Sequence, residues 1–524
     1  MYLDATIDDV LKPAGAKTPI VILPDRPAHA DGGASRRHHR LEVLARAKPV
    51  TAEHERQSVD AVATAPVGAK QEAMTQRRVL TLATPIIGEN LLQTAVGAVD
   101  TFMVARLGAA AVAGVGTGSA LVFFLISILS AIDIGATILV SQAIGGGDKN
   151  RANLLARQAV GWGLILAIPL SLGMFVAAPA VIGLYGAESD VAAAATTYLR
   201  VTAAGSAALM LSFVCGAVLR GAGDSRTPLA AGAMANVTNI VVAYALIFGH
   251  FGLPELGVAG SAAGAVSGRA VGATFMLMAM ARGRKAISIR GSVGWRPHVG
   301  TARQLLKLGV PAAVEQVLSV GAFTALMGVV ALIGTAALAA EQITFTALSL
   351  AFLPALGFSM AATALVGQSI GARLPADGKA AARIAMRFAV LWMGTGGAVA
   401  FLFGERIVSI FTDDPAVVAD GVVALRALSI ALPFWAIWFV AGGGLRGSGD
   451  TRTPLIIGPA TMWLSVLIAW VAVRWFGGGL GTVWFSFVLT TSPASLLMWR
   501  AFRRRIGDYG QGRREWPVVA AAAH

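Results

Sequence analysis

A single cysteine, Cys215, stands among 524 residues, so neither a disulfide framework nor a cysteine-ligated metal centre can be built from this chain. Charge is scarce as well. Asp, Glu, Lys and Arg make up 13% of residues, against roughly 25% in soluble domains. The seven histidines are scattered, mostly in the N-terminal stretch, and none falls at metal-ligand spacing. No Gly-x-x-x-x-Gly-Lys-Ser/Thr loop is present to cradle a nucleotide, so a primary pump would need a separate ATPase. These absences leave little room for catalysis, and no enzyme activity and no cofactor are expected.

Apolar residues make up 56% of the chain. From about residue 79 onward, long apolar runs follow one another with short breaks, each long enough to cross a hydrocarbon core of about 30 Å as a helix. They are continuous and rich in Ala, Leu and Val, which excludes the alternating 10-residue strands of a membrane barrel. The runs centre near Ala95, Leu125, Ala167, Ala204, Val241 and Ala270, then near Leu318, Ala351, Val399, Leu432, Ala469 and Phe487. Runs such as Gly257-Val-Ala-Gly-Ser-Ala-Ala-Gly264 suit close helix packing where lipid removes most of the hydrophobic drive.

These runs form two sets of six because the chain repeats itself at an offset of 226. Leu219-Arg-Gly-Ala-Gly-Asp-Ser-Arg-Thr-Pro-Leu229 returns as Leu445-Arg-Gly-Ser-Gly-Asp-Thr-Arg-Thr-Pro-Leu455, nine identities in eleven. Pro85 meets Pro311, Glu89 meets Glu315, Gln142-x-Ile144-Gly145 meets Gln368-x-Ile370-Gly371, and Arg200 meets Arg426. The predicted fold is therefore an all-α integral membrane protein, twelve transmembrane helices in two six-helix lobes. Six crossings per repeat is an even number, so both lobes enter from the same side and are related by a pseudo-two-fold axis along the membrane normal. The predicted divisions are a disordered cytoplasmic N-terminal tail (1–75), an N-lobe (76–290), a cytoplasmic linker (291–303), a C-lobe (304–506) and a C-terminal tail (507–524). Translation beginning at Met74 is an equal alternative to the tail.

Alternate connections differ sharply in charge. One face carries 24 Lys and Arg, the other only Arg106, Arg406 and Arg474, which puts the basic face and both termini in the cytoplasm of a cell (inner) membrane protein. The net charge of +14 then needs no nucleic acid partner. The partners expected are the lipid bilayer and small organic molecules, and an enclosed two-lobe design allows a monomer.

The duplicated twelve-span layout, Gly97-Ala-Val-Asp100-Thr in the first span, Gln142-Ala-Ile-Gly145 and the two Leu-Arg-Gly-x-Gly-Asp-x-Arg-Thr-Pro segments resemble the multidrug and toxic compound extrusion (MATE) family of secondary transporters, over about residues 79–505. The resemblance implies two lobes facing each other across a central cavity, alternating access, and export of organic compounds, cationic ones above all, by antiport with protons or sodium ions. A lipid-linked sugar flippase of the same superfamily is the alternative, and a gated channel a more distant one.

Ionisable groups inside spans are costly, so each is a candidate functional site. Glu89 and Asp100 lie eleven residues apart on the first span, nearly on one face and about 16 Å apart. Asp100 is the first candidate for the coupling carboxylate because its repeat counterpart is Leu326, so the shared fold does not require it. Asn236 and Asn239 in the fifth span are polar neighbours in the same lobe, for cation coupling or for interhelical hydrogen bonds. Glu315 and its repeat partner Glu89 could bind cations or substrate at the cavity, or be inherited packing features. Asp133, Ser359 in the other repeat, divides between function and helix capping; Glu341 begins the eighth span. Trp435 and Trp438, on one face of the tenth span, could stack a planar cation or simply pack. Arg200 and Arg426 are expected to bond backbone carbonyls or an acid, while Arg269 stays open. In the repeated turns Arg220, Asp224, Arg226, Arg446, Asp450 and Arg452 fix a helix hairpin and latch a cytoplasmic gate, with Thr227 and Thr453 as helix caps. Two departures from the family pattern, Ala243 and Trp435 where relatives carry Asp, leave a sodium site of several oxygens hard to assemble and favour protons.

Overall fold

A computed structural model describes residues 67–516 apart from residue 185 and residues 284–286, and the side chains from residue 72 onward. Of the predicted N-terminal tail (1–75), residues 1–66 lie outside the described residues and 67–75 belong to the first helix; of the predicted C-terminal tail (507–524), residues 507–510 end the last helix and 517–524 lie outside the described residues. Thirteen α-helices and one 3-10 turn make up the described fold, with no strand among the described residues. In chain order they are α1 (Val67–Ala105), α2 (Ala109–Gly145), α3 (Lys149–Gly183), α4 (Ser189–Ala204), α5 (Ser206–Gly221), α6 (Arg226–Phe248), α7 (Val258–Ala281), α8 (Val299–Ala331), α9 (Thr335–Gly371), α10 (Pro375–Ser409), α11 (Pro415–Gly447), α12 (Arg452–Phe476) and α13 (Leu480–Gly510). Eleven are long and apolar enough to cross a membrane, and α4 with α5 makes a twelfth crossing bent by 57°.

The offset of 226 carries into the helix bounds. Adding it to α2 (109–145) gives 335–371, the bounds of α9, and adding it to α3 (149–183) gives 375–409, those of α10. The same sum takes 189–221, the extent of α4 plus α5, onto α11 at 415–447. One crossing is thus a single helix in the second half and a broken one in the first. The break falls at Gly205, where a methyl group would lie 2.3 Å from both Val266 methyls on α7. In this bent conformation Val266 leaves no room for a side chain at the break, and only glycine fits beneath it.

Helix starts follow local chemistry. Asp148 caps α3 by accepting from the Arg151 amide at 2.9 Å, and Asp414 caps α11 from the Ala416 amide at 2.9 Å with Pro415 following. In the repeated turns the aspartates cap, and the sequence-predicted role of Thr227 and Thr453 is corrected. Asp224 accepts from the Arg226 and Thr227 amides at 3.2 Å and from the Thr227 hydroxyl at 2.7 Å, and Asp450 accepts from Thr453 in the same way. A charged carboxylate makes stronger bonds to the free amides at a helix start than a neutral hydroxyl does. Between α7 and α8 the chain folds back onto α3, and α8 begins at Val299 because His298 Nδ1 accepts from the Thr301 amide.

The halves meet where α2 and α9 cross near their basic ends. A methyl group on Gly145 would fall 1.9 Å from the Gln368 carbonyl oxygen, and one on Gly371 would fall 2.0 Å from that of Gln142. Gln142 Nε2 donates across the crossing to the Gly447 carbonyl at 3.2 Å, and Gln368 Nε2 donates to that of Gly221 at 3.0 Å. Subtracting 226 from 368 and 447 returns 142 and 221, so each bond is the other with the halves exchanged, as a two-fold relation requires. Deeper along, Gly309 of α8 approaches the Ala131 carbonyl of α2 and Gly135 approaches that of Leu305. Toward their other ends α2 and α9 expose Phe123, Phe124 and Phe345.

Candidate functional site

α6 and α7 pack through glycine. A methyl group on Gly260 would lie 2.6 Å from the Leu246 carbonyl carbon, on Gly264 2.8 Å from Asn239 Oδ1, and on Gly268 2.3 Å from the Ala235 carbonyl oxygen. This close seam fixes Asn239 and turns its amide toward α1, where Asn239 Nδ2 donates to Asp100 Oδ2 at 2.8 Å. Asn236 stands three residues earlier on the same helix, and Arg269 of α7 acts electrostatically on Asp100. Two of the three sequence-predicted coupling residues are thus directly bonded.

Asp100 Oδ1, Asn239 Oδ1 and Asn236 Nδ2 are all buried without a hydrogen-bond partner. Unpaired buried polar atoms cost about 1–3 kcal/mol each, and three in one polar neighbourhood mark a place built to receive something. At the equivalent positions the second half has nothing comparable, its own unpartnered buried atoms lying elsewhere, as on Glu341, Thr344 and Trp435. The counterparts, found by adding 226, are Leu326, Met462, Ser465 and Ser495. Leu326 is fully buried in the apolar core, and the Ser465 hydroxyl is satisfied by Thr490 and the Thr461 carbonyl.

Glu89 and Glu315 each pair within their own half with the arginine of the repeated turn. Arg220 lies 3.3 Å from Glu89 and Arg446 lies 3.0 Å from Glu315. Gly216 makes room for the first guanidinium, since a methyl there would lie 2.9 Å from Arg220. These ion pairs tie α1 to α5 and α8 to α11. The first pair has a third member, because Arg220 and Glu89 both act on Asp133, whose Oδ1 is buried and unpartnered. Asp133 lies well inside α2, twelve residues before its end, so the capping reading is corrected: its backbone is already in the helical ladder, and its side chain faces another helix.

Arg200 and Arg426 donate to the Phe175 and Phe401 carbonyls at 3.4 and 3.3 Å and lie over the same residues' rings. Trp435 is 4% exposed, with its ring against Phe352, Trp484 and Phe487. Trp438 is half-buried and packs near Gly458. Both tryptophans belong to the packed interior of the second half. Asp450 pairs with Arg505 at 3.5 Å, a partner the repeat does not announce because Ala279 holds the equivalent place. Glu341 is buried and accepts from Trp484 Nε1 at 2.6 Å, with its other oxygen unpartnered. Sequence reading located Glu341 but not its donor, which lies 143 residues away on another helix with no spacing rule to connect the two. Among the described residues no group of three or more His, Cys, Asp or Glu could hold a metal ion.

Comparison with known proteins bears on this arrangement directly. The MatE family model matches residues 85–245 and again 311–471, two segments that are themselves 226 residues apart. The chain belongs to the MatE family. At 30% identity it is similar to the "Probable multidrug resistance protein NorM" of Thermotoga maritima, over 79% of this chain and 89% of the relative. The multidrug resistance protein PmpM of Pseudomonas aeruginosa is 28% identical over 84% of this chain and 94% of its own length. Among solved structures, an outward-facing multidrug resistance MATE transporter of the MOP superfamily superposes with a TM-score of 0.77 at 22% identity, covering 83% of this chain and 96% of that one. The MatE chain described here is therefore a multi-pass membrane protein with the all-helical fold of that family.

Proposed function

We propose that this MatE protein is a secondary efflux carrier that exports organic compounds by antiport with protons through alternating access, and that Asp100 loads the coupling ion. The observation that carries the reading is the Asp100–Asn239 bond with its unpaired neighbours, present in one half only. A duplicated fold that breaks its own symmetry at a half-buried carboxylate with one enclosed oxygen has a use for that carboxylate beyond packing. A buried acid trades a proton with least rearrangement, whereas a hard cation demands about six oxygens. Asp100 Oδ1 and Asn239 Oδ1 are the free acceptor oxygens at this locus.

Lipophilic cations are the cargo to test, since Asp100, Asp133 and Glu341 each keep a buried oxygen without a hydrogen-bond partner, while Arg220 and Arg446 are neutralised by Glu89 and Glu315 and Arg269 acts on Asp100. We take the basic face as cytoplasmic; the inter-half bonds at that face then describe a carrier closed to the cytoplasm, and parting them is the other half of the cycle. Glu89–Arg220 and Glu315–Arg446 hold α1 on α5 and α8 on α11 while the halves move.

The test is flux in proteoliposomes holding a fluorescent lipophilic cation, with a pH gradient and a sodium gradient each imposed alone. Saturable export driven by the pH gradient supports the reading. Export driven by sodium alone would overturn the proton assignment, and flux that neither saturates nor responds to a gradient would mark a channel.

A further inference from the structure

In the second half, α10 and α13 each pack along α11 but meet one another sparsely. Between them lies a cleft of about 700 Å³ whose lining includes Lys379, Arg383, Arg387 and Arg503 and no carboxylate. Its remaining wall is apolar, with Val390, Leu391, Ile437 and Trp499. The two kinds of lining are separated along the helix. Lys379 is in the first turns of α10 at the basic face, and Leu391 lies twelve residues further in, about 18 Å along the axis. The cleft is cationic at its membrane edge and greasy toward the membrane centre. Of the four cations, only Arg387 has an acidic partner among the described residues, the exposed Glu72 at 2.9 Å.

The first half shows what such a cleft holds. Subtracting 226 takes Arg383 to Arg157 and Lys379 to Asn153, and there the connection between α7 and α8 fills the place. Arg157 donates to the Arg290 and Val293 carbonyls. Gln158 Nε2 donates to the Gly294 and Arg296 carbonyls at 2.6 and 2.7 Å, and Asn153 accepts from the Ser288 amide at 2.7 Å. A row of acceptor oxygens from the protein's own backbone thus satisfies the first groove. In the second half the equivalent groove gains three cations where its counterpart has Asn153, Gly161 and Leu277. Guanidinium groups at a membrane edge match phosphodiester oxygens in charge and in fork geometry, and basic clefts between spans on the cytoplasmic side are suited to lipid headgroups.

The geometry points to a binding site for an anionic phospholipid of the basic-face leaflet, its phosphate among Lys379, Arg383, Arg387 and Arg503 and an acyl chain along Val390, Leu391 and Ile437. The experiment is native mass spectrometry of the full-length protein in micelles titrated with dioleoyl phosphatidylglycerol or dioleoyl phosphatidylcholine. Phosphatidylglycerol is expected to bind more tightly on the unmodified chain. The double variant Arg383→Gln/Arg503→Gln is expected to lose about twenty-fivefold in that affinity, about fivefold for each cation removed. The charge-matched control Arg282→Gln/Arg303→Gln, exposed at the same face, is expected to keep it. Equal binding of the two lipids, which is read without any variant, would overturn the assignment, as would equal loss in the control. Displacement of phosphatidylglycerol by inorganic phosphate, or lipid binding that appears only once residues 517–524 are deleted, would overturn it in favour of a free anion or of the chain's own segment.

Discussion

Replacing Gly145 by alanine tests the crossing on which the relation between the halves rests. The added methyl would lie 1.9 Å from the Gln368 carbonyl oxygen and 2.6 Å from its carbon. Ordinary contact is about 3.5 Å, so α2 and α9 must part by about 1.6 Å. That displacement takes the Gln142–Gly447 and Gln368–Gly221 bonds, now 3.2 and 3.0 Å, beyond hydrogen-bond length. Two bonds at about 0.5–1.5 kcal/mol net remove about 1–3 kcal/mol from the state joined at the basic face. A shift of that size moves a two-state equilibrium about 5–150-fold toward the parted state. The assay is a spin-label distance between Asn150→Cys and Ala376→Cys, exposed positions related by the same offset of 226, with native Cys215 fully buried. Gly371→Ala, whose methyl would meet the Gln142 carbonyl at 2.0 Å, is expected to shift the distribution by the same amount. Gly173→Ala, with nothing within 4 Å, should leave it unmoved. Unchanged distances in Gly145→Ala, or clearly unequal shifts in the two crossing variants, would refute the reasoning.

Three further outcomes follow from the site geometry. Arg220→Met is expected to destabilise more than Arg446→Met, because it strands both Glu89 and Asp133 while its counterpart strands Glu315 alone; unpairing a buried ion costs about 3–5 kcal/mol, and melting in detergent compares the two. Glu341→Gln keeps an acceptor for Trp484 Nε1 and should melt near the unmodified protein, whereas Trp484→Phe leaves the Glu341 carboxylate without its donor and should lose about 1–3 kcal/mol. Ala243→Asp is expected to reduce the yield of folded protein, since Ala243 is fully buried against Gly264 with no room for the larger side chain.

Most of the architecture was legible because a duplicated sequence states its own symmetry. The offset read from Leu219-Arg-Gly and Leu445-Arg-Gly is the offset of the helix ends, of the Glu–Arg pairs and of the reciprocal glutamine bonds. Asp100 stood out for the converse reason, as an acid where the other repeat has Leu326. Hidden from the sequence were the features that depend on which helix lies beside which. The close approach of Val266 on α7 to Gly205 is one, although Gly205-Ser206 against Ala431-Leu432 in the other repeat was a local sign of the break. Asp133 and Glu341 were visible as buried acids, but their partners Arg220 and Trp484 come from distant helices. The tryptophans of α11 show the limit of face counting, because a three-residue spacing identifies a shared side of a helix and not whether that side meets a cavity or a core.

The most direct test of the central claim is proton movement driven by an outward substrate gradient, recorded in proteoliposomes with Asp100→Asn beside the unmodified protein. The substitution keeps a carbonyl oxygen to accept from Asn239 and removes only the group that exchanges a proton. The account predicts proton flux coupled to substrate in the unmodified protein and none above background in the variant, with both melting alike. Coupled flux of normal size from the Asp100→Asn variant would contradict it.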